Sequence, residues 1–115
     1  MRVKIYHNPR CSKSRQTLAL LRERGIEPDI IEYLKTPPSE SEIRHIIDML
    51  DLASARDLMR KGEAIYKELG LKDVTDENTL IRAMAEHPKL IERPIVIRDD
   101  KARIGRPPES VADIL

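Results

Sequence analysis

Val3-Lys4-Ile5-Tyr6 alternates apolar and polar positions and is built from β-formers, so it predicts a short strand. His7-Asn8-Pro9-Arg10 ends it. From Cys11-Ser12 the spacing becomes helical, carries Leu18, Leu20 and Leu21, and runs to Arg24, with Gly25 just past the end. Asp29-Ile30-Ile31-Glu32-Tyr33-Leu34 reads as a second strand. These 34 residues form a βαβ unit, whose two strands should be parallel with a right-handed crossover.

Thr36-Pro37-Pro38 breaks the pattern, and Ser39 with Glu42 makes a capping box. Behind it Ile43, Ile46, Ile47 and Leu50 fall at i, i+3, i+4 and i+7, the face of an amphipathic helix. Short helices are predicted around 54–60 and 63–69, the second stopped by Gly70. Another starts near Thr75 or Asp76 and carries Leu80, Ile81, Met84 and Ala85 up to His87-Pro88. Pro94-Ile95-Val96-Ile97 restores the strand signal. Asp99-Asp100 turns the chain into Lys101-Ala102-Arg103-Ile104, and Pro107-Pro108 opens a final helix ending at Leu115. The order βαβ, helices, ββα predicts an α/β fold. A mixed four-stranded sheet of thioredoxin-like type fits it best, as a single domain over 1–115 with an all-helical insert at about 36–90.

Composition narrows the function. A chain of 115 residues has room for one ordinary core, which at this size buries roughly 65% of its unfolded surface and needs no disulfide or metal to fold. Three Tyr with no Phe or Trp argue against base-stacking surfaces. A net charge of +1 without a basic run argues against nucleic-acid binding. No apolar run approaches a membrane span, and the N-terminal stretch has no signal-peptide core. One Cys and no export signal make the cytoplasm the expected location.

That Cys, Cys11, sits where the first strand turns into the first helix. The open end of a helix presents unpaired amides and the positive end of the dipole, a setting that favours a thiolate and can cradle an oxyanion. His7, Lys13 and Arg15 add positive charge if they point inward. An inert buried Cys is the plainer reading, but nothing apolar lies between Arg10 and Thr17. Spacing excludes rivals. A phosphatase loop needs Arg where Thr17 stands, and a dithiol motif needs a thiol where Ser14 stands. Cys11-Ser12-Lys13-Ser14 can form a mixed disulfide but must be resolved from outside. His7, His45 and His87 are too scattered to make a metal site with Cys11.

Arg outnumbers Lys 13 to 8, and most arginines read as solvated helix faces. Three stand apart by position. Arg60 precedes Lys61-Gly62, Arg93 precedes Pro94 at a strand start, and Arg106 precedes Pro107-Pro108 after the last strand. A guanidinium offers paired donors in one plane, suited to a tetrahedral oxyanion. Position alone leaves each as readily a surface arginine as a ligand.

Taken together these residues resemble the glutaredoxin-linked arsenate reductase family, ArsC, whose fold is thioredoxin-like. The resemblance runs along essentially the whole chain. It rests on Tyr6-His7-Asn8-Pro9-x-Cys11 with Ser14-Arg15, Tyr33-Leu34-x-x-Pro37-Pro38, Leu58-Met59-Arg60-Lys61, Arg93-Pro94-Ile95-Val96 and Arg106-Pro107. It implies that Cys11 is the nucleophile, that His7 assists it, and that Arg60, Arg93 and Arg106 bind the oxyanion, with Ser14 and Arg15 counted in the same set. It further implies a Cys–arsenate adduct, glutathione as co-substrate, glutaredoxin as protein partner, and neither a metal nor a bound cofactor. The chain is shorter at its C-terminus than resistance-associated members. Two other readings share the fold: a glutathione-dependent thiol reductase, and a redox regulator resembling Spx proteins that bind RNA polymerase. The second usually carries a C-x-x-C switch, which Ser14 removes.

Overall fold

The computed structural model describes residues 2–115, which divide into two compact units. The first comprises the chain up to Thr36 together with Arg93–Leu115. It contains β1 (Val3–Tyr6), α1 (Ser12–Glu23), β2 (Asp29–Ile31), β3 (Ile95–Arg98), β4 (Lys101–Ile104) and a 3-10 segment at Pro108–Ile114. The strands form one sheet in the order β2-β1-β3-β4. β1 runs parallel to β2, with Ile5 opposite Ile30, and antiparallel to β3, with Ile5 opposite Val96. β3 and β4 form a hairpin in which Ile97 faces Ala102. This is the mixed, thioredoxin-like sheet that the element order predicts.

The core of this unit follows from two periodicities. Val3 and Ile5 alternate onto one face of β1, and Val96 joins them from β3. In α1 the buried residues are Ser14, Thr17, Leu18 and Leu21, a stripe at i, i+3, i+4 and i+7. Leu18 and Leu21 pack on the sheet with Val111 and Ile114 from the C-terminal segment. Gly25 ends α1 at φ 77°, the left-handed conformation expected of it.

The second unit spans Pro37–Glu92. It holds α2 (Glu40–Met49), α3 (Ala64–Glu68), α4 (Glu77–Glu86) and 3-10 turns at Ala55–Leu58, Leu71–Asp73 and Pro88–Leu90. Ser39 and Glu42 form the full capping box of α2. Asp76 caps α4 by accepting from the Thr79 amide. α2 packs against α4. Arg56 ties the turns together, its guanidinium donating to Tyr66 Oη at 2.6 Å, to the Leu71 carbonyl at 2.9 Å and to the Val74 carbonyl.

Three elements differ from the sequence expectation, the first being the helix expected around 54–60, which is a 3-10 turn at Ala55–Leu58. β2 ends at Ile31 rather than Leu34, because the amides of Lys35 and Thr36 both turn back to the Glu32 carbonyl. The C-terminal helix is 3-10. Pro107 and Pro108 supply no amides at its start, and Ser110 and Leu115 donate three residues back rather than four.

Candidate active site

Cys11 occupies the N-cap of α1 with an extended backbone, φ −93° and ψ 122°. Among the described residues no side chain caps this helix, and its first turn carries no acidic residue. The first α-helical hydrogen bond runs from Arg15 N to Cys11 O at 3.0 Å, so the preceding amides lie at the open, positive end. Cys11 N donates to Asn8 O at 3.0 Å, which folds the His7–Arg10 loop into a turn beneath the sulfur-bearing residue. The side chain itself is largely buried, at 9% exposure.

Behind the loop lies a polar pair. His7 Nδ1 and Ser14 Oγ share a hydrogen bond at 2.6 Å, and Ser14 Oγ also accepts from Asn8 N at 3.0 Å. His7 is oriented from the other side, its amide donating to the Ile31 carbonyl at 2.8 Å. Ser14 can reach this pair because it shares the inward stripe of α1 with Leu18 and Leu21. Burial holds the imidazole below its ordinary proton affinity. Glu32 opposes this, while Arg22 and Arg15 act in the same sense as burial. Those two arginines line one open cleft of about 650 Å³ with His7.

The arginines separate into distinct settings. Arg106 Nη2 lies 3.7 Å from Cys11 Sγ, and its Nε donates to the Arg93 carbonyl at 2.9 Å. One arginine of the predicted set is thus aimed at the sulfur by the backbone of another. Arg93 is half-buried and joined to Pro94 by a cis peptide bond, as Arg106 is to Pro107. Arg15 Nη1 donates to the Pro9 carbonyl at 3.0 Å, tying the first turn of α1 to the loop, whereas Lys13 is exposed. Arg60 belongs to the helical unit. Its amide donates to the Leu90 carbonyl at 2.7 Å, beside the isolated bridge between Met59 and Ile91. Its guanidinium is engaged by Glu63, and Glu92 lies 3.8 Å from its Nε.

A buried cysteine at an open helix end, with a guanidinium on its sulfur, is an arrangement for nucleophilic attack on an anion. Residues 6–114 match the ArsC family. The chain belongs to the ArsC family. It is 56% identical over 114 residues to the uncharacterized protein YfgD of Escherichia coli, covering 98% of this chain and 96% of that one. It is 53% identical to an arsenate reductase of Neisseria meningitidis, covering 98% and 97%. The fold superposes on an arsenate reductase structure from Vibrio cholerae with a TM-score of 0.97 at 55% identity, covering 100% and 98%.

Within this ArsC protein, two residues that shape the site stand outside the expected set. Gly105 is buried against Thr17 and Pro94, next to Arg106. Asn8 caps its own loop, Oδ1 accepting from Arg10 N at 3.0 Å, while its backbone serves both Ser14 and Cys11. A glycine between the end of a strand and Arg-Pro is a signal that could have found the first. For Asn8, the signal was an Asn just before Pro at the start of a turn.

Proposed function

We propose that this protein is an arsenate reductase in which Cys11 is the nucleophile and Arg106 holds the oxyanion against it. The observation that carries the reading is the approach of Arg106 Nη2 to Cys11 Sγ at the open end of α1, in a member of the ArsC family. The same guanidinium has donors for the oxygens of a tetrahedral anion, and the first-turn amides add donors from a second direction.

In this mechanism the Cys11 thiolate attacks arsenic. An As–S bond forms, one arsenate oxygen leaves as water after protonation, and arsenic remains pentavalent. Two external thiols then supply two electrons. Arsenic falls to the trivalent state, the thiols end as a disulfide, and arsenite leaves the sulfur. The sum is arsenate and two thiols giving arsenite, a disulfide and water. Ser14 stands where a dithiol motif would carry its second thiol, so the reductant comes from outside, with glutathione first and glutaredoxin removing it. His7 and Ser14 act from behind, fixing the loop that carries Cys11. No metal or bound cofactor takes part.

Arsenite production tests this directly. Purified protein with arsenate should form arsenite when glutathione and glutaredoxin are both present, and lose most of the rate when either is omitted. Full turnover without glutaredoxin would contradict the assigned reductant. No arsenite under any condition, together with reduction of a glutathionylated peptide, would replace the reading with thiol reductase chemistry.

A further inference from the structure

Gly105 links β4 to Arg106, and it is enclosed. A Cβ placed on it would lie 2.5 Å from Thr17 Oγ1, 2.8 Å from Pro94 Cγ and 3.1 Å from Thr17 Cγ2. Contacts below 3 Å are not tolerated by real side chains, so position 105 admits only hydrogen. Its backbone φ lies outside the left-handed region, so the requirement is for space and not for conformation. The atoms that close the space cannot easily withdraw. Thr17 is fully buried in α1 with its hydroxyl donating to the Lys13 carbonyl at 2.8 Å, and Pro94 is a ring at the start of β3.

We propose that Gly105 is a positioning residue of the active site: its missing side chain lets the segment after β4 lie against α1, and this approach brings Arg106 to the Cys11 sulfur. The hydrogen bonds around it run in the same direction. Gly105 N donates to the Pro94 carbonyl at 2.9 Å, Arg106 N to the Ile104 carbonyl at 2.9 Å, and Arg106 Nε to the Arg93 carbonyl at 2.9 Å. A methyl group at 105 would push this segment away from the helix whose N-cap is Cys11. The guanidinium reaches the sulfur at 3.7 Å, and opening the 2.5 Å contact at position 105 to ordinary van der Waals distance needs a movement of roughly 1 Å, which carries the guanidinium out of hydrogen-bond reach of the sulfur.

Alkylation of the single cysteine reads the charge at the sulfur. Iodoacetate carries a negative charge and iodoacetamide none, so the ratio of their rates reports the guanidinium beside Sγ. The ratio should fall about three- to tenfold in Arg106→Ala, as for removal of one partly exposed charge at this distance. Gly105→Ala should fall toward the same value with its circular dichroism unchanged. Gly105→Ala combined with Thr17→Ala, which removes the Thr17 Oγ1 and Cγ2 contacts but leaves the one with Pro94 Cγ, should recover part of the ratio, and Thr17→Ala alone should leave it at the wild-type value. If Gly105→Ala does not fold, Thr17→Ile narrows the same gap from the helix side and carries the same expectation. A wild-type ratio in the folded Gly105→Ala or Thr17→Ile protein would overturn the proposal. So would an unchanged ratio in Arg106→Ala. As a contribution to arsenate turnover the inference rests on the reading above, but the alkylation ratio does not, so the two fail separately.

Discussion

Arg106 Nη2 stands 3.7 Å from Cys11 Sγ across 95 residues of chain, one group at the end of β4 and the other at the head of α1. The contact joins the only cysteine of the sequence to a guanidinium held in place by the Arg93 carbonyl. It gives the site its polarity, a thiol beside a fixed guanidinium.

Arg106 and Arg98 provide a matched comparison, since both are arginines of the sheet unit with different partners. Arg98 Nη1 donates to the carbonyls of Ile114 and Leu115 at 3.0 and 2.6 Å, fastening the C-terminus. Arg106→Ala should raise the arsenate KM about tenfold or more, the loss expected for a charge-assisted hydrogen bond to an anion. Arg98→Ala should lower thermal stability and leave the arsenate KM close to wild type. Steady-state kinetics and melting curves of the two variants separate the roles, and equal KM changes would contradict the assignment.

His7 predicts an acid-side loss of stability. Its folded-state proton affinity is depressed below the ordinary 6.5, chiefly by burial. Unfolded chains take up a proton near pH 6.5 that the folded protein does not bind. The contribution is therefore complete above that pH and lost as pH falls toward the folded value, with a slope of at most about 1.4 kcal/mol per pH unit. Urea unfolding at pH 7.5 and 5.5 should show a larger acid loss for wild type than for His7→Gln. The same loss in both proteins would mean that His7 is not held neutral.

Leu21 is fully buried between α1 and the sheet, whereas Leu34 is 39% exposed. Leu21→Ala should cost about 2–5 kcal/mol of unfolding free energy by leaving a cavity. Leu34→Ala should stay within about 1 kcal/mol. Denaturant titration of both variants measures the difference, and similar losses would place the core of this unit elsewhere.

Much of the fold was legible because its signals are local. The alternation of Val3 and Ile5, the Ser39–Glu42 box and the left-handed Gly25 each act within a few residues, and each appears in place. Element ends were less legible. Whether β2 continues past Ile31, or the C-terminal turns are α or 3-10, depends on which carbonyl an amide finds, as at Glu32 and Pro107. Cys11 stood out as a lone thiol among polar residues at a helix start. Its contact with Arg106 could not be read from spacing, because it depends on how β4 returns to α1. Ser14 and Thr17 carried a readable signal, two small polar residues in register with Leu18 and Leu21 on the buried stripe of α1. Such residues inside an apolar stripe mark where a helix meets something other than packing: here a histidine and the backbone of a glycine.

The most direct test of the account is NADPH consumption with arsenate, glutathione, glutaredoxin and glutathione reductase, for wild type and Cys11→Ser side by side. The account predicts arsenate-dependent turnover by wild type and none above background for the folded Cys11→Ser protein. Turnover that survives in the variant would contradict Cys11 as the nucleophile, and a folded wild type that consumes no NADPH with arsenate would contradict the proposed reaction.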